Sequence, residues 1–190
     1  MQIVFAASEC APWARTGGLA EVIGSLPREI AALGHKVTVY VPYYRQVRAL
    51  EAALRHRLGV RLGDRVAILA ESSPEWLIAD FACLAAGIID VPIYPTLIAG
   101  QVAHILRDSG AVGVFVSNAE QVEKVRQAGI GLPGLQWVCS FDAEDWVELL
   151  AYQQAEDDDA LDERLHATPP EQVATFIYTS GTTGDPKGVV

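Results

Sequence analysis

Short apolar runs rich in valine and isoleucine alternate along this chain with longer stretches in which apolar residues recur every three or four positions. The first pattern suits strands buried on both faces, and the second suits helices that cover them. Residues 3–7, 36–41, 65–70, 89–93, 112–116, 136–139 and 173–178 read as strands. Residues 19–33 read as a helix containing an early proline, Pro27. Ile98, Val102, Ile105 and Leu106 fall at i, i+4, i+7 and i+8, which gives another helix an apolar face to lay on a sheet. Ser73 followed by Pro74 and Glu75 predicts an N-cap with proline at the first helical position. Gly59 and the pair Gly63-Asp64 punctuate the entry to the third strand, and Pro92 and Pro95 mark the end of the fourth. Strands joined by crossover helices imply an α/β fold with a mostly parallel sheet.

After Ala151 the periodicity fails: Gln153-Gln154-Ala155 leads into Glu156-Asp157-Asp158-Asp159, and Pro169-Pro170 closes the stretch. An exposed connection is expected here, ahead of the last strand. Neighbouring carboxylates on a strand or helix point in different directions, so this run reads as solvated surface and receives no metal chemistry.

Composition narrows the function. With 190 residues and 51% hydrophobic content the chain can bury a core. A formal net charge of -10 argues against nucleic-acid binding, which needs lysine and arginine to neutralise phosphates. Any nucleotide handled here is a small one. Cys10, Cys83 and Cys139 are widely spaced and form no CxxC pair, which suggests neither a disulfide framework nor a zinc site and points to a reducing, cytoplasmic setting. The start, Met1-Gln2-Ile3-Val4-Phe5-Ala6-Ala7, lacks the basic region of a signal peptide. Residues 77–94 are the most apolar stretch, but Asp80, Asp90 and Pro92 interrupt it, so no membrane span is expected.

Candidate chemistry appears at both ends. Near the start, Arg15-Thr16-Gly17-Gly18 lies between a strand and a helix, where glycines let the backbone approach a ligand and the helix N-terminus offers free N–H groups to a phosphate. The wider string Phe5-Ala6-Ala7-Ser8-Glu9-Cys10-Ala11-Pro12-Trp13-Ala14-Arg15-Thr16-Gly17-Gly18-Leu19-Ala20-Glu21-Val22 resembles the start of bacterial glycogen and starch synthases. Leu33-Gly34-His35-Lys36-Val37 and Val41-Pro42-Tyr43-Tyr44 extend that resemblance. It implies a Rossmann-like βαβ segment over residues 1–48, with Arg15, Gly17 and Gly18 at an ADP-glucose site. Arg15 stands where that family usually has lysine, so a planar fork replaces a compact ammonium. Nothing here resembles the second domain of those synthases, which holds most of the donor nucleotide.

At the other end, a strand delivers the chain to Tyr178-Thr179-Ser180-Gly181-Thr182-Thr183-Gly184-Asp185-Pro186-Lys187-Gly188. Hydroxyls and glycine-freed N–H groups can surround an anion, Lys187 adds a positive charge, and Pro186 stiffens its approach. It is not a Walker sequence, because Gly-Lys followed by Ser or Thr is absent. From about Leu50 onward the chain resembles AMP-forming acyl-CoA synthetases, most closely long-chain fatty-acid–CoA ligases. Leu58-Gly59-Val60, Gly63-Asp64-Arg65-Val66-Ala67-Ile68, Pro74-Glu75-Trp76, Ala85-Ala86-Gly87, Val91-Pro92-Ile93-Tyr94-Pro95-Thr96-Leu97 and Asp108-Ser109-Gly110-Ala111 carry the likeness along with the loop.

This second resemblance implies that residues 49–190 are part of the large N-terminal domain of an adenylate-forming synthetase. Thr179, Ser180, Gly181, Thr182, Thr183, Gly184 and Lys187 would then contact ATP phosphates. It also implies magnesium as cofactor, with CoA and a fatty acid as co-substrates. The family's magnesium-binding acid, adenine and ribose contacts and catalytic lysine all lie beyond the loop, so no catalytic residue and no metal ligand is named in this chain. The seam between the two resemblances falls within residues 45–53, inside an expected helix. Three readings follow: an acyl-CoA synthetase region inactive by itself, a glucosyltransferase fragment using ADP-glucose, or a non-catalytic chimeric or truncated nucleotide-binding fragment.

Overall fold

The computed structural model describes residues 1–7, 18–40, 45–128, 132–152, 169, 171–179 and 186–189. It divides into two compact units, Met1–Tyr44 and Arg45–Val190. In the first, β1 (Gln2–Ala6) pairs parallel with β2 (Lys36–Tyr40), and α1 (Gly18–Ala32) links them. This is a single βαβ unit, with Pro27 inside its helix.

The second unit runs α2 (Arg45–His56), β3 (Arg65–Leu69), α3 (Pro74–Ala85), β4 (Ile89–Ile93), α4 (Ala99–Ser109), β5 (Gly113–Val116), α5 (Ala119–Ala128), β6 (Trp137–Ser140), α6 (Glu144–Leu150), β7 (Ile177–Thr179) and β8 (Lys187–Val189). Strands β3 to β6 form a parallel sheet in the order β4-β3-β5-β6. Successive side chains on a strand point to opposite faces, and both faces of this sheet are covered. Val66, Ile68 and Phe115 pack with Val47, Leu50 and Leu54 of α2, Ala79 and Cys83 of α3, and Trp146 and Leu149 of α6. Ala67, Leu69, Val91, Val114 and Val116 pack on the other side with Val102, Ile105 and Leu106 of α4 and Val125 of α5. The result is an α/β fold with a parallel sheet, as the hydrophobic pattern implied.

Local signals act where the sequence placed them. Ser73 caps α3 by accepting a hydrogen bond from Trp76 N–H at 3.2 Å, with Pro74 opening the helix. Gly63 has φ +78, a conformation that costs glycine little, and its N–H donates to Gly87 O at 2.9 Å just before β3. Ile98 differs from its expected place on the buried face of α4: it is the N-cap residue and is 68% exposed. The turn ahead of it, closed by Leu97 N–H to Tyr94 O at 3.1 Å, delays the helix until Ala99. The expected acidic connection lies almost wholly outside the described residues. Among the described residues no helix is long and apolar enough to cross a membrane.

Candidate functional site

The expected final strand is divided in the structure. Its first part runs parallel to β4, with Asp90 N–H donating to Ala174 O at 3.1 Å and Phe176 N–H donating to Asp90 O at 3.0 Å. Its second part, β7, turns to pair antiparallel with β8. The rungs are Ile177 opposite Val189, Tyr178 opposite Gly188 and Thr179 opposite Lys187. Thr179 and Lys187, which bracket the Ser/Thr/Gly loop, are thus brought together across one rung. Ser180, Gly181, Thr182, Thr183 and Gly184 lie outside the described residues.

Alternation along β7 decides what each side chain meets. Tyr178 is 8% exposed and turns into the core beside α4, while Thr179 on the opposite face is exposed. The Tyr178 hydroxyl donates to Asp108 Oδ2 at 2.6 Å. Burial and that bond hold the phenol above its ordinary range, so Tyr178 stays a neutral donor. A Cβ at position 188 would sit 3.1 Å from the Tyr178 ring, so glycine there lets the ring lie close against β8. One turn before Asp108, His104 Nε2 lies 2.9 Å from the carbonyl oxygen of Pro186. His104, Asp108, Pro186, Lys187 and Gly188 line a cleft of about 350 Å³. Lys187 is exposed and makes no ion pair among the described residues.

Beneath the strand that leads to the hairpin lies a pair of carboxyl groups. Asp80 of α3 is 6% exposed and Asp90 of β4 is 3% exposed. Burial, then the charge of Asp90 and a hydrogen bond to it, push Asp80 well above the usual carboxylate range, so Asp80 holds the proton and donates it to Asp90. Burial raises Asp90 to about 6, opposed by its polar neighbours Thr175 and Asp80. Thr175 exerts that pull without closing a regular hydrogen bond of its own. Cys83, fully buried beside the two acids, is likewise held as a thiol.

Sequence reasoning identified Thr179 and Lys187 but missed the side chains that support them. In the sequence Asp108 belongs only to the string Asp108-Ser109-Gly110-Ala111 that carries the likeness, and His104 belongs to no motif. Their only signal was a polar pair at i, i+4 on the same helix as the apolar face of Val102, Ile105 and Leu106. Of the other candidates, Arg15 and Gly17 lie outside the described residues, and Gly18 opens α1. Among the described residues no three His, Cys, Asp or Glu side chains come together as a metal would require.

A parallel sheet between two helical layers, with the β7–β8 pair next to its edge strand β4, frames the site. The family described as AMP-binding enzyme matches residues 21–190, and the chain belongs to it. It is 41% identical over 146 residues to long-chain-fatty-acid–CoA ligase FadD15 of Mycobacterium bovis, a match covering 75% of this chain and 24% of that enzyme. The crystallised N-terminal domain of FACL13 from Mycobacterium tuberculosis superposes with a TM-score of 0.59 at 28% identity, covering 76% of this chain and 35% of that one. A 48-residue segment is 62% identical to glycogen synthase of Koribacter versatilis, over 25% of this chain and 10% of that enzyme. The chain therefore spans about a quarter of the length of the ligase it matches.

Proposed function

We propose that this chain supplies the triphosphate-holding part of an ATP-dependent acyl-CoA synthetase. Thr179, Ser180, Gly181, Thr182, Thr183 and Gly184 would donate hydroxyl and backbone hydrogen bonds to the β- and γ-phosphates, and Lys187 would neutralise charge beside them. The observation that carries this reading is the rung joining Thr179 to Lys187, which sets a hydroxyl and an exposed ammonium at the two ends of one loop. In the complete reaction a fatty-acid carboxylate oxygen attacks the α-phosphorus and pyrophosphate leaves, giving an acyl-adenylate. The CoA thiol then displaces AMP to form the thioester. Fixed donors on the departing pyrophosphate stabilise charge that grows in the transition state. Magnesium would add charge neutralisation, but the described residues offer no ligand cluster for it, and no step is assigned to it.

The matched ligase is about four times longer than the part this chain covers. The 190 residues are therefore expected to bind ATP weakly and to show no fatty-acid-dependent ATP–pyrophosphate exchange by themselves. Residues 1–48 read as the glycogen-synthase-like segment and 49–190 as the synthetase part. Arg15, Gly17 and Gly18 would face ADP-glucose only in an enzyme of that first kind, and no glucose transfer to glycogen is expected here. Calorimetric titration tests the main reading: Lys187→Ala should weaken ATP binding about tenfold, roughly 1.4 kcal/mol. Identical isotherms for the two proteins would remove it.

A further inference from the structure

We propose that His104 and Asp108, one turn apart on α4, are positioning residues that hold the two ends of the phosphate loop in register before nucleotide arrives. The inference rests on the phosphate-holding reading of that loop. Residues at i and i+4 share a helix face. From that face Asp108 accepts the Tyr178 hydroxyl at 2.6 Å, and Tyr178 immediately precedes Thr179. His104 meets the Pro186 carbonyl at 2.9 Å, and Pro186 immediately precedes Lys187. Each anchor therefore sits one residue before a partner of the Thr179–Lys187 rung.

The chemistry of the His104 contact fixes its direction. A carbonyl oxygen only accepts, so Nε2 carries the hydrogen and His104 donates. The peptide held in this way is the one joining Pro186 to Lys187, so its orientation sets where the lysine backbone starts. Pro186 has no N–H through which the hairpin ladder could hold it. A two-stranded hairpin with three residues per strand is marginal in water by itself. Two side-chain bonds from a helix whose neighbouring face is buried under the sheet give it a rigid support. Support of this kind lowers the ordering cost that a triphosphate would otherwise meet on binding.

The test uses the full chain with His104→Ala and His104→Gln. Glutamine extends an N–H donor about as far as Nε2, so it can restore the bond to Pro186, whereas alanine cannot. Two readouts are needed: amide hydrogen exchange at Lys187, Gly188 and Val189, and calorimetric affinity for ATP and for inorganic tripolyphosphate. His104→Ala should raise exchange at these amides at least fivefold and weaken both ligands three- to tenfold, with Tm unchanged. His104→Gln should recover most of both effects. Unchanged exchange in His104→Ala, or a glutamine variant as impaired as the alanine one, overturns the anchor. Wild-type protein that binds neither ligand overturns the phosphate reading, and the exchange comparison still decides the anchor separately.

Discussion

Position 113 shows how one residue specifies packing that its own strand does not reveal. The run 112–116 was readable as a strand, but a glycine inside a strand usually only weakens it, and nothing in the pattern of that run accounts for one. In the structure a Cβ on Gly113 would lie 2.0 Å from the Trp137 indole, which crosses the backbone from the neighbouring strand. That indole tilts against Phe115 with ring centroids 5.0 Å apart, and Phe115 also meets Phe141 at 6.0 Å and Trp146 at 5.6 Å. The aromatic cluster thus needs the missing side chain. Gly113→Ala is expected to destabilise the protein by roughly 1–3 kcal/mol, the usual cost of overpacking a filled core. Urea unfolding followed by tryptophan fluorescence checks it, and an unchanged midpoint would show that the indole moves aside freely. The contrast with Lys187 is instructive: Lys187 and its loop stand out within a few residues of sequence, whereas the claim of Trp137 on Gly113 exists only after β5 and β6 pair.

At the scale of elements, the contact between α3 and β4 places two acids where the sequence showed only breaks in an apolar run. Asp80 and Asp90 are ten residues apart, and the packing of α3 against β4 brings them together to share a proton. Asp90 also carries, through its backbone, the strand that leads to β7. The sign of the pH effect follows from the raised value of about 6. The folded state holds a proton that the unfolded chain releases near the ordinary aspartate range of about 4. This contribution to stability is greatest below about pH 4, falls as pH rises through 6, and is flat above. The loss for Asp90 is on the order of 2–3 kcal/mol. Asp90→Asn should make the decline between pH 5 and pH 7.5 shallower by the share that Asp90 contributes, since the amide oxygen still accepts from Asp80 but no longer titrates; the share of Asp80, itself raised by burial, remains. Urea midpoints across that range measure it, and parallel pH profiles for the two proteins would show that the pair does not couple to folding.

Across the whole molecule, the parallel α/β class was legible because strands buried on both faces write continuous apolar runs, and Val66 to Leu69 is one such run. Strand order was not legible: the pattern says that β3 and β4 are joined by a crossover, but not that β3 lies between β4 and β5. Nor was β8, whose Lys187-Gly188-Val189 has no alternation and becomes a strand only by pairing with β7. The same burial pattern divides the chain energetically. In the Met1–Tyr44 unit, Ile23 and Pro27 are the buried residues among those described. In the Arg45–Val190 unit, β3 and β5 are sealed between two helical layers, with Val66, Ile68, Val114 and Phe115 fully buried. Opening free energy follows buried apolar contact and protection of backbone hydrogen bonds from water. Amides of β3 and β5 should therefore exchange only through global unfolding of their unit. Amides of β1 and β2, in a two-stranded sheet with a thin core, should exchange at least a hundredfold faster. Native-state exchange read by mass spectrometry or NMR makes the comparison. Equal protection in the two sheets would mean that the short βαβ unit draws its stability from something other than the packing of its described residues.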